Sequence, residues 1–212
     1  MRAASRCTAQ SPCKRQLTWS KKSFADTVFL ALEIASALCN IGFVVGMINQ
    51  RIWAWPMGLI GCLAAAVMFE SSQLHAEAFL NVLYAALAIY GWVTWQGNNQ
   101  AMMVVHRAQR RVWWGLAAII MTLALGWAMK TQTSNPLPFV DAGIFSLSVI
   151  ATLWQIGKRL DNWHLWIVVN AISVWLCINR GLYVYAGYSA LLFAMSFSGL
   201  RSWRSVHEAQ SN

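Results

Sequence analysis

Charged side chains are scarce in this sequence. They make up 11% of 212 residues, against 58% hydrophobic, whereas soluble domains run near 25% charged. The apolar stretches also lack a polar stripe of 3.6-residue period, which a soluble helical bundle needs for its outer face. Both absences exclude a soluble bundle. No C-x-x-C pair occurs: Cys7, Cys13, Cys39, Cys62 and Cys177 form an odd set, which argues against a disulfide framework or a metal site. Three of them lie inside apolar stretches, where cysteine acts as a small apolar residue. There is no Ser/His/Asp grouping near one surface, no Gly-rich phosphate loop and no metal-ligand cluster. Neither an enzyme nor a cofactor is expected. Residues 1–25 contain no apolar core and so do not form a secretory signal peptide; polar and basic, they are expected to be largely disordered. The net charge is +9, but no basic patch interleaved with aromatics appears, so nucleic acid is not the expected partner. The basic residues lie between apolar stretches and in the tails, where they attract anionic lipid headgroups.

What the chain does have is seven apolar stretches: Thr27–Met47, Ile52–Phe69, Ala78–Gln96, Val112–Met129, Phe139–Gly157, Asn162–Asn179 and Gly181–Leu200. A bilayer crossing takes about 20 mostly apolar residues. The second stretch carries no charge over 18 residues, roughly 27 Å at about 1.5 Å rise per residue. The expected fold class is an all-α membrane protein with seven transmembrane helices, its partner the lipid bilayer.

The chain also repeats itself. An offset of 108, with no gap, lays Ile48, Arg51, Trp55, Ala78, Leu83, Ala86, Gly91 and Trp95 on Ile156, Arg159, Trp163, Ala186, Leu191, Ala194, Gly199 and Trp203. Each copy holds three spans, and Val112–Met129 lies unpaired between them. A three-span unit ends on the opposite side of the membrane from its start, so one extra span turns the second copy to face the same way as the first. Parallel repeats of this kind, related by an axis along the membrane normal, are a layout of transporters. The expected organisation is a basic tail (1–25), a first repeat (26–96), a basic loop and linker helix (97–133), a second repeat (134–204) and a C-terminal tail (205–212). Short loops within each repeat force neighbouring antiparallel helices, and Asn135-Pro136-Leu137-Pro138 suits a helix start. Arg51, Arg107, Arg110, Arg111, Lys158, Arg159, Arg201 and Arg204 fall on one face. The positive-inside bias then puts the C-terminus in the cytoplasm, although Lys14, Arg15, Lys21 and Lys22 in the N-terminal tail argue the other way.

Polar residues at membrane depth mark the candidate site. Trp163-x-x-Trp166-x-x-x-Asn170 lies on one helix face by its spacings of three and four. Asn170 is about 12 Å into its span, close to the midplane, where an amide must find a partner in the bundle or in a ligand. Trp163 alone also suits an interface anchor. As a set, the indoles stack a flat or cationic ring and the amide fixes its orientation. Asn40, with repeat mate Ser148, and Asn81 with Tyr84, at i and i+3, are further candidates; the mate of Asn81 is Ser189. Each of these also fits a plain interhelical hydrogen bond. Glu33 and Asp141 are repeat mates near span ends. They suit either a proton or cation site or shallow carboxylates that snorkel or pair with a base. Trp53-x-Trp55-Pro56 opens the second span, as a hinge with Gly58 or as an ordinary first-turn proline. His164 reads as interfacial. Gly58-x-x-Gly61 and Ala85, Ala86 and Ala88 read as packing surfaces.

Trp53-x-Trp55-Pro56, Tyr90-Gly91-Trp92 with Trp95, Trp163-x-x-Trp166-x-x-x-Asn170 and Gly199-x-x-x-Trp203 together resemble the PnuC vitamin transporters over about residues 26–205. The resemblance implies a three-plus-one-plus-three, SWEET-like fold. It also implies a homotrimer in the bacterial inner membrane that imports nicotinamide riboside by facilitated diffusion, made one-way by intracellular phosphorylation. Trp163, Trp166 and Asn170 would contact the ligand, and Asn81 would stand where relatives carry a polar amide. The sequence departs from the family pattern at Cys177, where an aromatic is frequent, and at Phe193, where a tyrosine is. Relatives on the same scaffold carry thiamine or deoxynucleosides.

Overall fold

In the computed structural model, residues 12–71, 75–97, 111–132 and 136–211 are described. They form α1 (Pro12–Ile48), α2 (Ala54–Ser71), α3 (His75–Gly97), α4 (Arg111–Gln132), α5 (Pro138–Ile156), α6 (Asn162–Asn179) and α7 (Tyr183–Ser211), with no β-strand among the described residues. Each expected span falls on one helix. By length and apolar composition α1 to α5 contain stretches able to cross a bilayer. α6 is diluted by Asn162, His164, Asn170 and Asn179, and α7 continues into a polar end. The outer surface is apolar: Phe79 is 72% exposed, Ile120 67% and Val184 84%. Such a contiguous apolar jacket suits acyl chains rather than water.

Two tails differ from expectation. α1 begins at Pro12, inside the segment expected to be disordered, and its 37 residues reach roughly 55 Å at about 1.5 Å per residue. Residues 13–26 hold neither Gly nor Pro, and Pro12 occupies a first-turn position that costs the helix little. α7 likewise runs to Ser211, through the expected C-terminal tail, aided by an Arg204–Glu208 ion pair at i, i+4 of 2.9 Å. Most of the basic Gly97–Arg111 loop, including Arg107 and Arg110, lies outside the described residues, as does Asn135. Pro138 opens α5 as the sequence suggests.

Helix α2 packs on α1 and α3, and α6 packs on α5 and α7, which gives two triplets. α4 packs on α5 alone among the described helices. The triplets meet through α1 against α7 and α3 against α5. The C-terminal ends of α1 and α5 enter one buried cluster with Trp55, Trp95, Trp163 and Trp203, so both triplets run the same way.

The repeat is preserved in detail where α1 and α5 end. Gln50 and its mate Lys158 both adopt a left-handed backbone, φ 53° and 52°. Matching amide bonds close each turn: Arg51 N–H to Gly46 O and Arg159 N–H to Trp154 O, both 2.8 Å. This is a helix-ending turn that normally favours glycine at the left-handed position. Burial lowers the Lys158 ammonium below the usual lysine range, and its Nζ lies 5.3 Å from the Trp95 ring centroid, where the ring quadrupole offsets part of the lost hydration.

The triplets then interlock. Trp95 Nε1–H donates to Ile156 O at 2.9 Å, and its mate Trp203 donates to Met47 O at 2.8 Å. Each repeat therefore satisfies a carbonyl at the end of the other repeat's first helix. Trp55 meets Trp95 edge-on at 5.4 Å, and Trp163 meets Trp203 at 5.7 Å, both at 84°. Gly91 and Gly199 let these rings approach the helix backbone closely: a Cβ at Gly91 would lie 2.5 Å from Trp55, and one at Gly199 would collide with Trp163.

Candidate substrate-binding site

Above this tryptophan cluster a cavity of about 290 Å³ opens between the triplets, near the lower end of the range for small-molecule sites. Asn40, Asn81, Tyr84, Trp163, Trp166 and Asn170, the six residues singled out from the sequence, all lie in its wall. Their convergence needs both repeats, since Asn40 comes from α1, Asn81 and Tyr84 from α3, and the other three from α6. Trp163 is 2% exposed and packed in the core, so it is no belt residue.

Many wall positions are repeat mates: Val44 and Thr152, Trp55 and Trp163, Gly58 and Trp166, Cys62 and Asn170, Tyr84 and Leu192, Ala88 and Ser196. The cavity therefore lies on the axis relating the two copies, while its chemistry is unequal. Where α6 supplies an indole and an amide, α2 supplies Gly58 and Cys62. The missing side chain at Gly58 seats the Phe43 ring, which lies 2.7 Å from where a Cβ would stand and also lines the cavity. Trp55 and Trp163 close the cavity at the cluster end, backed by Trp95, Trp203 and Met47, none more than 2% exposed.

Asn170 is held in place by α7. Its Nδ2 donates to Ser196 Oγ at 3.3 Å, and Ser196 donates to Leu192 O at 2.8 Å. The amide keeps an N–H and a carbonyl oxygen as further hydrogen-bonding capacity. Ser148 Oγ donates to Ile144 O within α5 at 2.7 Å. Ser148 and Ser189, the mates of Asn40 and Asn81, are not in the wall.

Sequence reasoning passed over Gln155, Thr152, Tyr188, Ser196 and Phe43, which also line the cavity. The repeat points to Ser196 through its mate Ala88, but gives no signal for Gln155, whose mate is Met47.

The two carboxylates considered for ion coupling lie outside the wall. Glu33 is exposed on α1. Asp141 pairs with Arg180 at 2.6 Å. Pro56 sits in the first turn of α2, where its missing N–H costs no helix bond. His164 is exposed.

A polar-tipped cavity enclosed between like-facing helical triplets, inside an apolar outer surface, is the architecture of a multi-pass membrane carrier. The chain belongs to the nicotinamide mononucleotide transporter family, whose model matches residues 30–205. It is similar to the nicotinamide riboside transporter PnuC of Escherichia coli (strain K12), at 26% identity over 200 residues, covering 80% of this chain and 82% of that protein. It is also similar to the riboflavin/roseoflavin transporter RibM of Streptomyces davaonensis, at 24% identity over 177 residues, covering 77% of this chain and 82% of the relative. A crystal structure of the vitamin B3 transporter PnuC superposes with a TM-score of 0.69 over 95% of this chain and 94% of that one, at 19% identity, and so shares the fold.

Proposed function

We propose that this chain carries nicotinamide riboside across the bacterial inner membrane by facilitated diffusion, with intracellular phosphorylation making uptake one-way. The observation that carries this reading is the shared cavity wall of Trp166, Asn170, Asn81 and Tyr84. A pyridinium ring is flat and cationic, which suits an indole face; a carboxamide and a ribose suit amides and hydroxyls. The relative bearing the nicotinamide riboside transporter name supports the substrate. Facilitated diffusion is supported by the wall, which holds no carboxylate among the described residues, and by the pairing of Asp141 with Arg180.

In this reading Trp163 and Trp166 hold the ring and Asn170 fixes its rotation. Asn40, Asn81 and Tyr84 meet the remaining polar groups. Release at the tryptophan end requires the crossed Trp95–Ile156 and Trp203–Met47 bonds to part. By the bias of basic loops that end faces the cytoplasm, with the C-terminus, and the assembly is a homotrimer.

The test is uptake into liposomes by the purified protein. Downhill uptake of nicotinamide riboside that ignores a pH gradient is the expected result, whereas uptake driven only by that gradient, or binding without flux, overturns it. Preference for riboflavin would move the substrate to that of the second relative. Trp166→Ala and Asn170→Ala are each expected to weaken binding at least tenfold, about 1.4 kcal/mol. Unchanged affinity in both, with the fold intact, removes the site.

A further inference from the structure

The two crossed bonds of the tryptophan cluster match in geometry, but their surroundings differ. On the second repeat's side a cation stands behind the indole. Lys158, in the turn between α5 and α6, is 8% exposed, and its Nζ lies over the Trp95 ring, 5.3 Å from the centroid. No carboxylate pairs with it among the described residues. An ammonium gives up hydration to sit there, and the ring quadrupole offsets part of that loss. Its repeat mate is Gln50, which is uncharged, and no cation stands over Trp203 among the described residues. Beside that other seam, a groove of about 480 Å³ lies between the α1–α2 turn and α7. The turn that carries Lys158 is braced by the linker helix. Arg111 at the start of α4 pairs with Asp161 at 2.9 Å, and the Arg159 guanidinium lies 6.0 Å from the ring centroid of Trp114, also on α4. At the far side of the contact, Trp95 meets Trp55 at 5.4 Å, and Trp55 lines the cavity. Direct contacts therefore run from a braced cation to the cavity wall.

Resting on the transport reading above, we propose that Lys158 is a latch: a positioning residue whose ammonium, held over Trp95, keeps the tryptophan end of the cavity closed. Release at that end requires Trp95 to leave Ile156 O. A Trp95 that withdraws with α3 leaves the cation behind on the braced turn, and the ring contact is lost with the hydrogen bond. Lys158 does not line the cavity, so it acts on the balance between closed and open gate and not on the ligand. The latch is one-sided, because Gln50 gives the first repeat no equivalent charge.

Cys62 supplies the reporter, since it lines the cavity and is partly exposed. A small, membrane-impermeant, anionic thiosulfonate is added to inside-out or right-side-out membrane vesicles. Modification at Cys62 is read by peptide mass spectrometry, so the other cysteines stay in place. The wild type is compared with Lys158→Met, which keeps the length without the charge, with Lys158→Gln as a second neutral variant, and with Lys158→Arg, which keeps the charge. All four carry a side chain at the left-handed position, φ 52°, so the backbone cost is common to them. From the side that bears the C-terminus, the neutral variants should react about fivefold faster than the wild type or more, and Lys158→Arg within about twofold of it, the scale of a partly desolvated cation–π contact. A turn stripped of its cation attracts an anionic reagent less, so charge alone cannot produce the gain. From the opposite side no gain is expected, and nicotinamide riboside affinity should stay within about twofold in every variant. Wild-type rates in either folded neutral variant, an equal gain in Lys158→Arg, a gain from both sides, or a tenfold loss of affinity each overturn the latch. Uptake of nicotinamide riboside by wild-type vesicles is measured alongside. Uptake with Cys62 modification unaltered by the variants overturns the latch alone, and no uptake overturns the transport reading with it.

Discussion

Gly91→Ala tests whether the tryptophan cluster is as tightly built as it looks. The added Cβ would lie 2.5 Å from Cη2 and Cζ3 of Trp55, whereas carbon atoms sit best about 3.5–4.0 Å apart. The ring must therefore retreat by roughly 1 Å. Trp55 is 1% exposed and wedged edge-on against Trp95 at 5.4 Å and Phe43 at 5.7 Å, so a retreat must displace those rings or push into the cavity it lines. Overpacking of this kind costs about 1–3 kcal/mol. Alanine also gains about 0.5–1 kcal/mol over glycine within a helix, which would mask part of that cost. Gly187→Ala in α7 isolates the helix gain, because a Cβ there meets nothing within 4 Å. The difference between the two variants is then the packing cost alone, roughly 1–3 kcal/mol. Thermal unfolding in detergent should place Gly91→Ala clearly below Gly187→Ala. Gly199→Ala should follow Gly91→Ala, because its Cβ would strike Trp163 in the mirrored contact. Trp55 and Trp163 also line the cavity, so both cluster variants should weaken riboside binding. If Gly91→Ala and Gly187→Ala melt together, the close ring-to-backbone contact is not a constraint on this protein and the reasoning fails.

Three further outcomes are expected. Trp203→Phe removes the bond to Met47 O, which retains the Gln50 N–H at 3.1 Å, and leaves a void beside Trp163 because Trp203 is fully buried; a loss of about 1–3 kcal/mol should appear as a lowered unfolding midpoint, and an unchanged midpoint would show that the crossed bond adds nothing. Gln50→Gly should stabilise the fold by roughly 0.5–1 kcal/mol, since a left-handed backbone costs a side-chain-bearing residue about 1–2 kcal/mol and glycine's entropy returns part of it; a destabilised variant would contradict the turn at φ 53°. Glu33→Gln and Asp141→Asn should leave downhill uptake in liposomes nearly unaltered, because neither side chain lines the cavity; loss of flux in either revives ion coupling.

The sequence by itself determined much of this protein. Hydropathy fixes where helices cross lipid, because a buried backbone must satisfy its own hydrogen bonds, and all seven expected spans became helices. The 108-residue offset paired Trp55 with Trp163 and Gly91 with Gly199, and these pairs make matching contacts. That Trp163, Trp166 and Asn170 share one cavity wall was legible because one helix face is a local property, set by spacing. Helix ends were less so: α1 and α7 continue past the lipid-length segments because apolar length marks the membrane, not the end of a helix.

Tertiary structure alone decided what lies between the copies. Trp95 reaching Ile156 and Trp203 reaching Met47 join residues 61 and 156 positions apart, and no periodicity within a helix encodes such a bond. Gln155 enters the cavity wall opposite no polar mate, so neither spacing nor repeat could announce it. Its place there follows from which side of α5 meets α3 and α6, and that is settled by packing two divergent copies of one unit around a common axis.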